Sequence, residues 1–285
     1  MDFAQFKAWI GRTETSADIP AASPLQGLAA TLNHAQPPWP DRTVPPLGHW
    51  LYFLPQALQG EIAEDGHPRR GGFLPPVPLP RRMWAGSKID FHAPFSIEKP
   101  LERTSRIAAV ENRSGKSGEL VFVTVEHEIF QQGSHVISES QDIVYREAPP
   151  AASAQAATAR VQAGEGDRRQ ADWQRTVRPD PVLLFRFSAL TFNGHRIHYD
   201  RPYAMEVEHY PGLVVHGPLT ATLLMDLFLR NNPGADVASC IIRGQQPLFD
   251  TGDVRLCGAA TPDGADLWAL TPAGQTAMSV KVVVR

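Results

Sequence analysis

Cysteine is nearly missing from this chain. Two residues, Cys240 and Cys257, are too few for a disulfide framework, and neither has a cysteine or histidine neighbour at metal-ligand spacing. They read as buried, reduced thiols, which suit a cytoplasmic setting. No stretch approaches the roughly 20 apolar residues of a spanning helix, so no membrane association is expected. The opening MDFAQFKAWIGRTE is amphipathic and carries acids, without the apolar run of a secretory signal. An excess of one charge is missing too, since 27 Lys and Arg stand against 30 Asp and Glu. That balance gives no basic field to recruit nucleic acid, and an anionic ligand must be met by local arginine clusters. Also absent are a GxGxxG placed after a strand and a zinc-like set of His and Cys spacings. Neither a redox cofactor nor a metal is therefore expected.

What is present supports a packed core: 42% of the residues are hydrophobic and 20% charged. The clearest boundary is Ala148–Ala171, APPAASAQAATARVQAGEGDRRQA, which has no aromatic and one isolated Val161. Such a segment buries too little surface to offset its ordering entropy, so it reads as a flexible linker between residues 1–147 and 172–285.

The first part opens with helical patterns at Phe3–Ile10 and Pro24–Asn33, with Ser23 as a cap and Pro24 in the first turn. A Pro-rich basic loop follows, DGHPRRGGFLPPVPLPRRMW (Asp65–Trp84). In Glu119–Phe130 the residues Val121, Val123, Val125, His127 and Ile129 alternate onto one face of a strand. The turn Asn112–Gly118 closes a hairpin from a strand near Arg103–Val110, and a last strand, Val136–Arg146, runs into the linker. The second part opens with VLLFRFSALTFN (Val182–Asn193), whose Leu183, Phe185 and Phe187 alternate as in a strand. Next, HGPLTATLLMDLFLRNN (His216–Asn232) is apolar nearly all round, the mark of a buried helix. Four strands follow, near Ala238–Gln245, Asp253–Gly258, Asp266–Thr271 and Thr276–Val284. One buried helix and then a run of antiparallel strands predicts α+β packing, with the sheet wrapped on the helix. That is the hotdog arrangement, and the first part reads as a degenerate second copy, giving a double hotdog. No repeat is visible between the halves at the level of sequence.

The loop between the two elements of the second part is dense in polar rings: SALTFNGHRIHYDRPYAMEVEHYPGLVVHGPLTA, Ser188–Ala221. Here the chain resembles the MaoC-like, R-specific enoyl-CoA hydratases, whose motif is D-x-N-P-[LIV]-H followed by a His-Gly that opens the central helix. Aligned on the last His, the motif falls on Asn193, Gly194, His195, Arg196, Ile197 and His198. Its Asp is Asn193, its Asn is His195 and its Pro is Arg196. These changes resemble a subgroup that includes mesaconyl-C4-CoA (3-methylfumaryl-CoA) hydratases and mitochondrial 3-hydroxyacyl-thioester dehydratases. GHWLYFLP (Gly48–Pro55), GHPRRGGFLPPVPLPRRMWAG (Gly66–Gly86) and QDIVYRE (Gln141–Glu147) are similar to that subgroup as well. The resemblance implies an acyl-CoA substrate, no cofactor beyond the CoA carried by that substrate, and a possible homodimer.

Hydrating an enoyl thioester requires a base for water, a proton for the α-carbon and hydrogen-bond donors for the enolate oxygen. An imidazole titrates near operating pH, so His198 is the candidate base. Asn193 cannot take a proton but can hold water. Pro218 has no N–H, which leaves Gly217 as the candidate donor at the positive end of the helix. Asp200 either supplies the missing carboxylate or caps the loop. His195 and His216 are candidate substrate contacts or loop residues, and Tyr199 shapes the acyl pocket or packs. Arg82 and Arg196 are candidates for a phosphate or a substrate carboxylate, with Arg69, Arg70, Arg81 and Arg186 behind them.

The leading expectation is a hydro-lyase for a branched dicarboxylic enoyl-CoA of the mesaconyl-C4-CoA or itaconyl-CoA type. The alternatives are a 3-hydroxyacyl-ACP or 3-hydroxyacyl-CoA dehydratase, a hotdog thioesterase, and an acyl-CoA-binding subunit whose site has decayed.

Overall fold

The computed structural model describes residues 3–115, 118–147 and 166–285, with side chains from residue 5 and none for 114 and 115. Most of the expected linker, residues 148–165, lies outside the described residues. Ten strands form one antiparallel sheet: β1 (Thr13–Asp18), β2 (Arg81–Phe91), β3 (Leu101–Gly115), β4 (Gly118–Gln131), β5 (Ser134–Arg146), β6 (Trp173–Val177), β7 (Val237–Gly244), β8 (Val254–Thr261), β9 (Gly264–Leu270) and β10 (Thr276–Val284). Their order is β1-β3-β4-β5-β2-β7-β10-β9-β8-β6. Read outward from the central β2–β7 pair, each half has the same connectivity, so the fold is a double hotdog.

Among the described residues three α-helices accompany the sheet: α1 (Ala22–Thr31), α2 (Pro181–Leu190) and α3 (Gly217–Asn231). The duplication extends to them. Ile19-Pro20-Ala21 joins β1 to α1 and Arg178-Pro179-Asp180 joins β6 to α2, and both helices have 10 residues. Each half then turns through a left-handed residue, Asn33 (φ 65) and Phe192 (φ 47). By this correspondence Asn193, at the start of the polar loop, matches His34.

The halves differ in what comes next. In the second, α3 packs in the sheet's concave face, with Leu219, Leu224, Leu227 and Phe228 buried against Leu256, Leu267, Val280 and Val282. In the first, Pro37, Pro38, Pro40, Pro45 and Pro46 interrupt the same stretch, and two short 3-10 turns, Gly48–Leu51 and Gln59–Glu61, stand there instead. Phe6, Val77 and Leu79 instead cover Val121, Val123 and Val125.

Three elements depart from the sequence reading. Val182–Asn193 is not a strand: Asp180 accepts a hydrogen bond from Leu183 N at 2.8 Å and caps α2, with Pro181 in its first turn. Leu184, Phe187 and Ser188 are buried at helical spacing, whereas Phe185, part of the apparent alternation, is 62% exposed. Ser23 is not the cap of α1, whose N-cap is Ala21, with no side-chain cap bond. The Pro-rich loop ends at Pro80, because Arg81–Trp84 already belong to β2.

Both cysteines are free and buried, as expected. Among the described residues no helix is long and apolar enough to cross a membrane. Asp226, the carboxylate of α3, is 5% exposed and faces three cationic or ionisable partners: His34 (2.6 Å), Arg175 (2.6 Å) and Arg230 (2.8 Å). Asp226→Ala leaves those groups without their anion. It is expected to destabilise the fold by about 2–4 kcal/mol, reduced from the fully buried case because both guanidiniums are partly exposed. Urea unfolding of the variant against wild type measures this.

Candidate active site

The polar loop after α2 folds back onto the N-terminal tip of α3. His198 lies in a short 3-10 turn, Arg196–His198, and is 7% exposed. Its Nδ1 donates to Val214 O at 2.7 Å. That bond fixes the tautomer and leaves the Nε2 lone pair free. Burial pushes the imidazole down to about 4, so it is neutral near pH 7. Its ring stacks on His216, with centroids 3.6 Å apart and planes 19° apart. His216 Nε2 meets Ser188 Oγ at 2.8 Å, and its buried Nδ1 has no hydrogen-bond partner among the described residues. Burial, followed by the neighbouring His198, drives His216 well below the usual histidine range.

His216 is also the residue before Gly217, so the stack places the His198 ring beside the helix tip. Gly217 N–H makes no backbone hydrogen bond among the described residues. A side chain at Gly217 would meet Trp84 of β2, with Cβ 2.5 Å from Cε3, so glycine is required where strand and helix tip touch. Trp84 is held by its indole N–H donating to Ser87 Oγ at 3.1 Å. Asp250 accepts from Leu213 N at 2.9 Å and from Arg201, which steadies the approach to the tip.

The other predicted residues separate into two groups. Asn193 Oδ1 accepts from His195 N at 3.0 Å and closes the loop. Asp200 takes Arg196 on one oxygen (2.7 and 2.9 Å) and caps Tyr203 N with the other (3.1 Å). Arg196 is therefore committed to Asp200, to Glu64 O and to the face of Tyr203. Tyr199 is 48% exposed and donates to Gly194 O. His195 remains inside, its ring 5.4 Å from His198, and burial lowers it to about 2.

The arginines of the Pro-rich segment also divide. Arg70 donates to Val77 O, Leu79 O and Pro80 O, and Arg81 pairs with Glu208, so these two hold structure. Arg186 faces solvent on α2 and Arg69 is exposed. Arg82 is half-buried, opposite Tyr145 in the β2–β5 register, and its charge depresses both His67 and His195. Among the described residues it has no carboxylate within ion-pair distance.

Sequence reading missed His67 and Asp65. His67 stacks 4.1 Å from His195, and its Nδ1 meets Asp65 Oδ2 at 3.2 Å. Asp65, His67 and His195 each offer a ligand atom within 4.8 Å of the others. The adjacent Arg82 repels a cation there, and the Asp65–His67 hydrogen bond already joins two of the three groups. The signal available in sequence was the DGH triplet, in which glycine permits a tight turn between a carboxylate and an imidazole.

Two cavities lie apart from these groups, and neither is lined by His198, Gly217 or Arg82. One of about 190 Å³ adjoins Trp50, which packs on Trp84, and is lined by His49, Arg103, His127, Glu139, Gln141 and Thr191. A larger one of about 470 Å³, walled by Leu28, Trp39, Phe95 and Met225, lies at the opposite end of α3 and contains none of the motif residues.

The sequence matches the hydroxyacyl-thioester dehydratase type 2 family over residues 47–250. It is 49% identical over 283 residues, 99% of each chain, to the mesaconyl-C(4)-CoA hydratase of Chloroflexus aurantiacus. It is 26% identical over 249 residues to the mitochondrial hydroxyacyl-thioester dehydratase type 2 of Schizosaccharomyces pombe, covering 77% of this chain and 78% of that one. A crystal structure of a MaoC-like dehydratase from Phytophthora capsici superposes with a TM-score of 0.69 at 12% identity, over 100% of this chain and 99% of the other, a likeness of fold. With His198, Gly217 and the double hotdog in place, this chain belongs to the hydroxyacyl-thioester dehydratase type 2 family.

Proposed function

We propose that the protein is an acyl-CoA hydro-lyase that adds water reversibly to a short enoyl-CoA bearing a carboxylate on its β-carbon, of the mesaconyl-C4-CoA kind. The observation that carries the reading is the neutral His198, with Nε2 free, beside the unbonded Gly217 N–H. In this mechanism the thioester carbonyl accepts from Gly217 N–H at the positive end of α3. Water gives a proton to His198 Nε2 as its oxygen attacks the β-carbon. The electron pair moves onto the thioester oxygen, and the proton then passes to the α-carbon. The reading calls for no metal and no cofactor beyond the CoA of the substrate. It includes a cytoplasmic setting and a homodimer, for which Val182 and Phe185 on α2 leave an exposed apolar surface.

Arg82 supports the substrate class. In a C4 thioester of mesaconate the β-carbon carries the free carboxylate, so the anion travels with the attacked atom. A guanidinium that shares a hydrogen bond with Tyr145 but has no carboxylate partner among the described residues, beside His195, suits it. Arg196 does not, because Asp200 already holds it. Thioester hydrolysis lacks its helix carboxylate, since Asp226 is engaged at the far side of α3.

Arg82→Ala is expected to lower kcat/KM for mesaconyl-C4-CoA by roughly 10–10²-fold, the value of a charged hydrogen bond, and to leave crotonyl-CoA nearly unchanged. Equal losses on both thioesters would remove Arg82 from substrate selection. Arg196→Ala should not alter the ratio.

A further inference from the structure

The motif position that carries a carboxylate in the related hydratases is Asn193 here, and its oxygen already closes the loop. We propose that the Asp65–His67 pair, delivered by the N-terminal half, takes that place, with His67 Nε2 accepting the second O–H of the attacking water. This rests on the hydratase reading above.

The segment is docked onto the motif loop. Arg196 N donates to Asp65 O at 2.9 Å, and Arg196 Nη1 donates to Glu64 O at 3.1 Å. Between them Gly66 (φ +89) lies against Gly194. A Cβ on Gly66 would be 1.9 Å from Gly194 O, and one on Gly194 would be 2.8 Å from Gly66 O. Two glycines face each other where any side chain would part the loops. The imidazole is not needed for that turn. The turn is already closed by the Asp65 carboxylate, which accepts from His67 N at Oδ1 (3.0 Å), and by the main-chain bond from Ala63 N to His67 O (2.7 Å).

Orientation is the second observation. An ionised carboxylate only accepts, so the 3.2 Å contact with Asp65 Oδ2 places the proton on His67 Nδ1 and leaves Nε2 as an acceptor. Burial of Asp65 acts to raise its carboxyl, but the hydrogen bonds from His67 outweigh this and keep it ionised. His198 is prepared the same way, by Val214 O. The arc therefore holds two imidazoles with anchored Nδ1 and free Nε2, and His195 stands between them at 4.1 and 5.4 Å. The charges facing His67 are Asp65, Arg82 and Arg70, and burial with the two arginines keeps it neutral against the pull of Asp65.

The step balances without a further reactant. Water donates one O–H to each Nε2. The O–H bond to His198 breaks as the O–Cβ bond forms and the π pair becomes the enolate. His198 then yields its proton to form the α-C–H bond, and both rings end neutral. His67 holds the oxygen in line throughout and carries no transferred proton.

The test uses the full chain with mesaconyl-C4-CoA. His67→Gln is expected to lower kcat by about 10²-fold with KM within about threefold, and Asp65→Asn by about 10-fold. Added imidazole should restore part of the rate to His67→Ala, which a role confined to packing would not produce. Wild-type kcat in His67→Gln while His198→Ala is inactive overturns this proposal and leaves the hydratase reading intact. A second overturning result is activity lost with a chelator and regained with zinc, which would make the cluster a metal site. If His67→Gln fails to fold, the near-isosteric Asp65→Asn decides, and an unchanged kcat there counts against the pair. A wild-type enzyme that hydrates none of the enoyl-CoA esters defeats the hydratase reading itself.

Discussion

Replacement of His198 by Ala should lower kcat for hydration by roughly 10²–10⁴-fold, with KM changed far less. The ring is 7% exposed, yet its Nδ1 is bound and its Nε2 has no protein partner among the described residues. Such an orientation serves a proton acceptor and adds little to packing beyond the face it shares with His216. The pH dependence follows in sign. A base must be neutral to act, and burial lowers this imidazole from the ordinary 6.5 to about 4. Activity limited by His198 should therefore stay level as pH falls through 6.5 and decline only as it nears 4. Steady-state rates on mesaconyl-C4-CoA across that range check both points. A decline centred at 6.5 would mean that some other histidine controls the rate.

A comparable loss, on the order of 10²–10³ in kcat, is expected for Gly217→Ala. The new methyl would sit 2.5 Å from Trp84 Cε3 and 2.8 Å from Cζ3. The indole cannot simply swing away, because its N–H is held by Ser87, whose hydroxyl donates to the buried Glu139. The helix tip must move instead, and it carries the only N–H of the Gly217-Pro218 step. An oxyanion donor acts where charge develops, so kcat should fall more than substrate affinity. Trp84→Leu combined with Gly217→Ala makes room for the methyl and should recover much of the loss. A single Gly217→Ala enzyme with wild-type kcat would dissociate the helix tip from the chemistry.

Where the sequence was legible, one physical signal dominated. The all-round apolar run around Leu223 and Leu224 marks a helix buried in a sheet, and the alternation of Val121, Val123 and Val125 marks a strand packed on one face. The polar loop stood out because histidines cluster between buried elements. Edge strands were not legible. β1 reads Thr-Glu-Thr-Ser-Ala-Asp and β6 is half polar, since an edge needs little burial on either face. The misreading of α2 came from weighing an alternation over the Asp180-Pro181 start signal. Partnerships were the least accessible. Arg196 and Arg82 are equivalent as letters, but Asp200 lies four residues from the first, while the second faces Tyr145, not an acid, across the β2–β5 pair. The Asp65–His67 pair is 128 residues from His195, joined to it by a glycine-on-glycine contact that sequence spacing does not encode.

The most direct test of the account follows enoyl-thioester absorbance and free thiol together, with the wild-type chain and mesaconyl-C4-CoA. Absorbance is expected to fall to an equilibrium also reached from the hydrated thioester, with no thiol released. Thiol release, or inertness toward this substrate alongside rapid hydration of crotonyl-CoA, would contradict it.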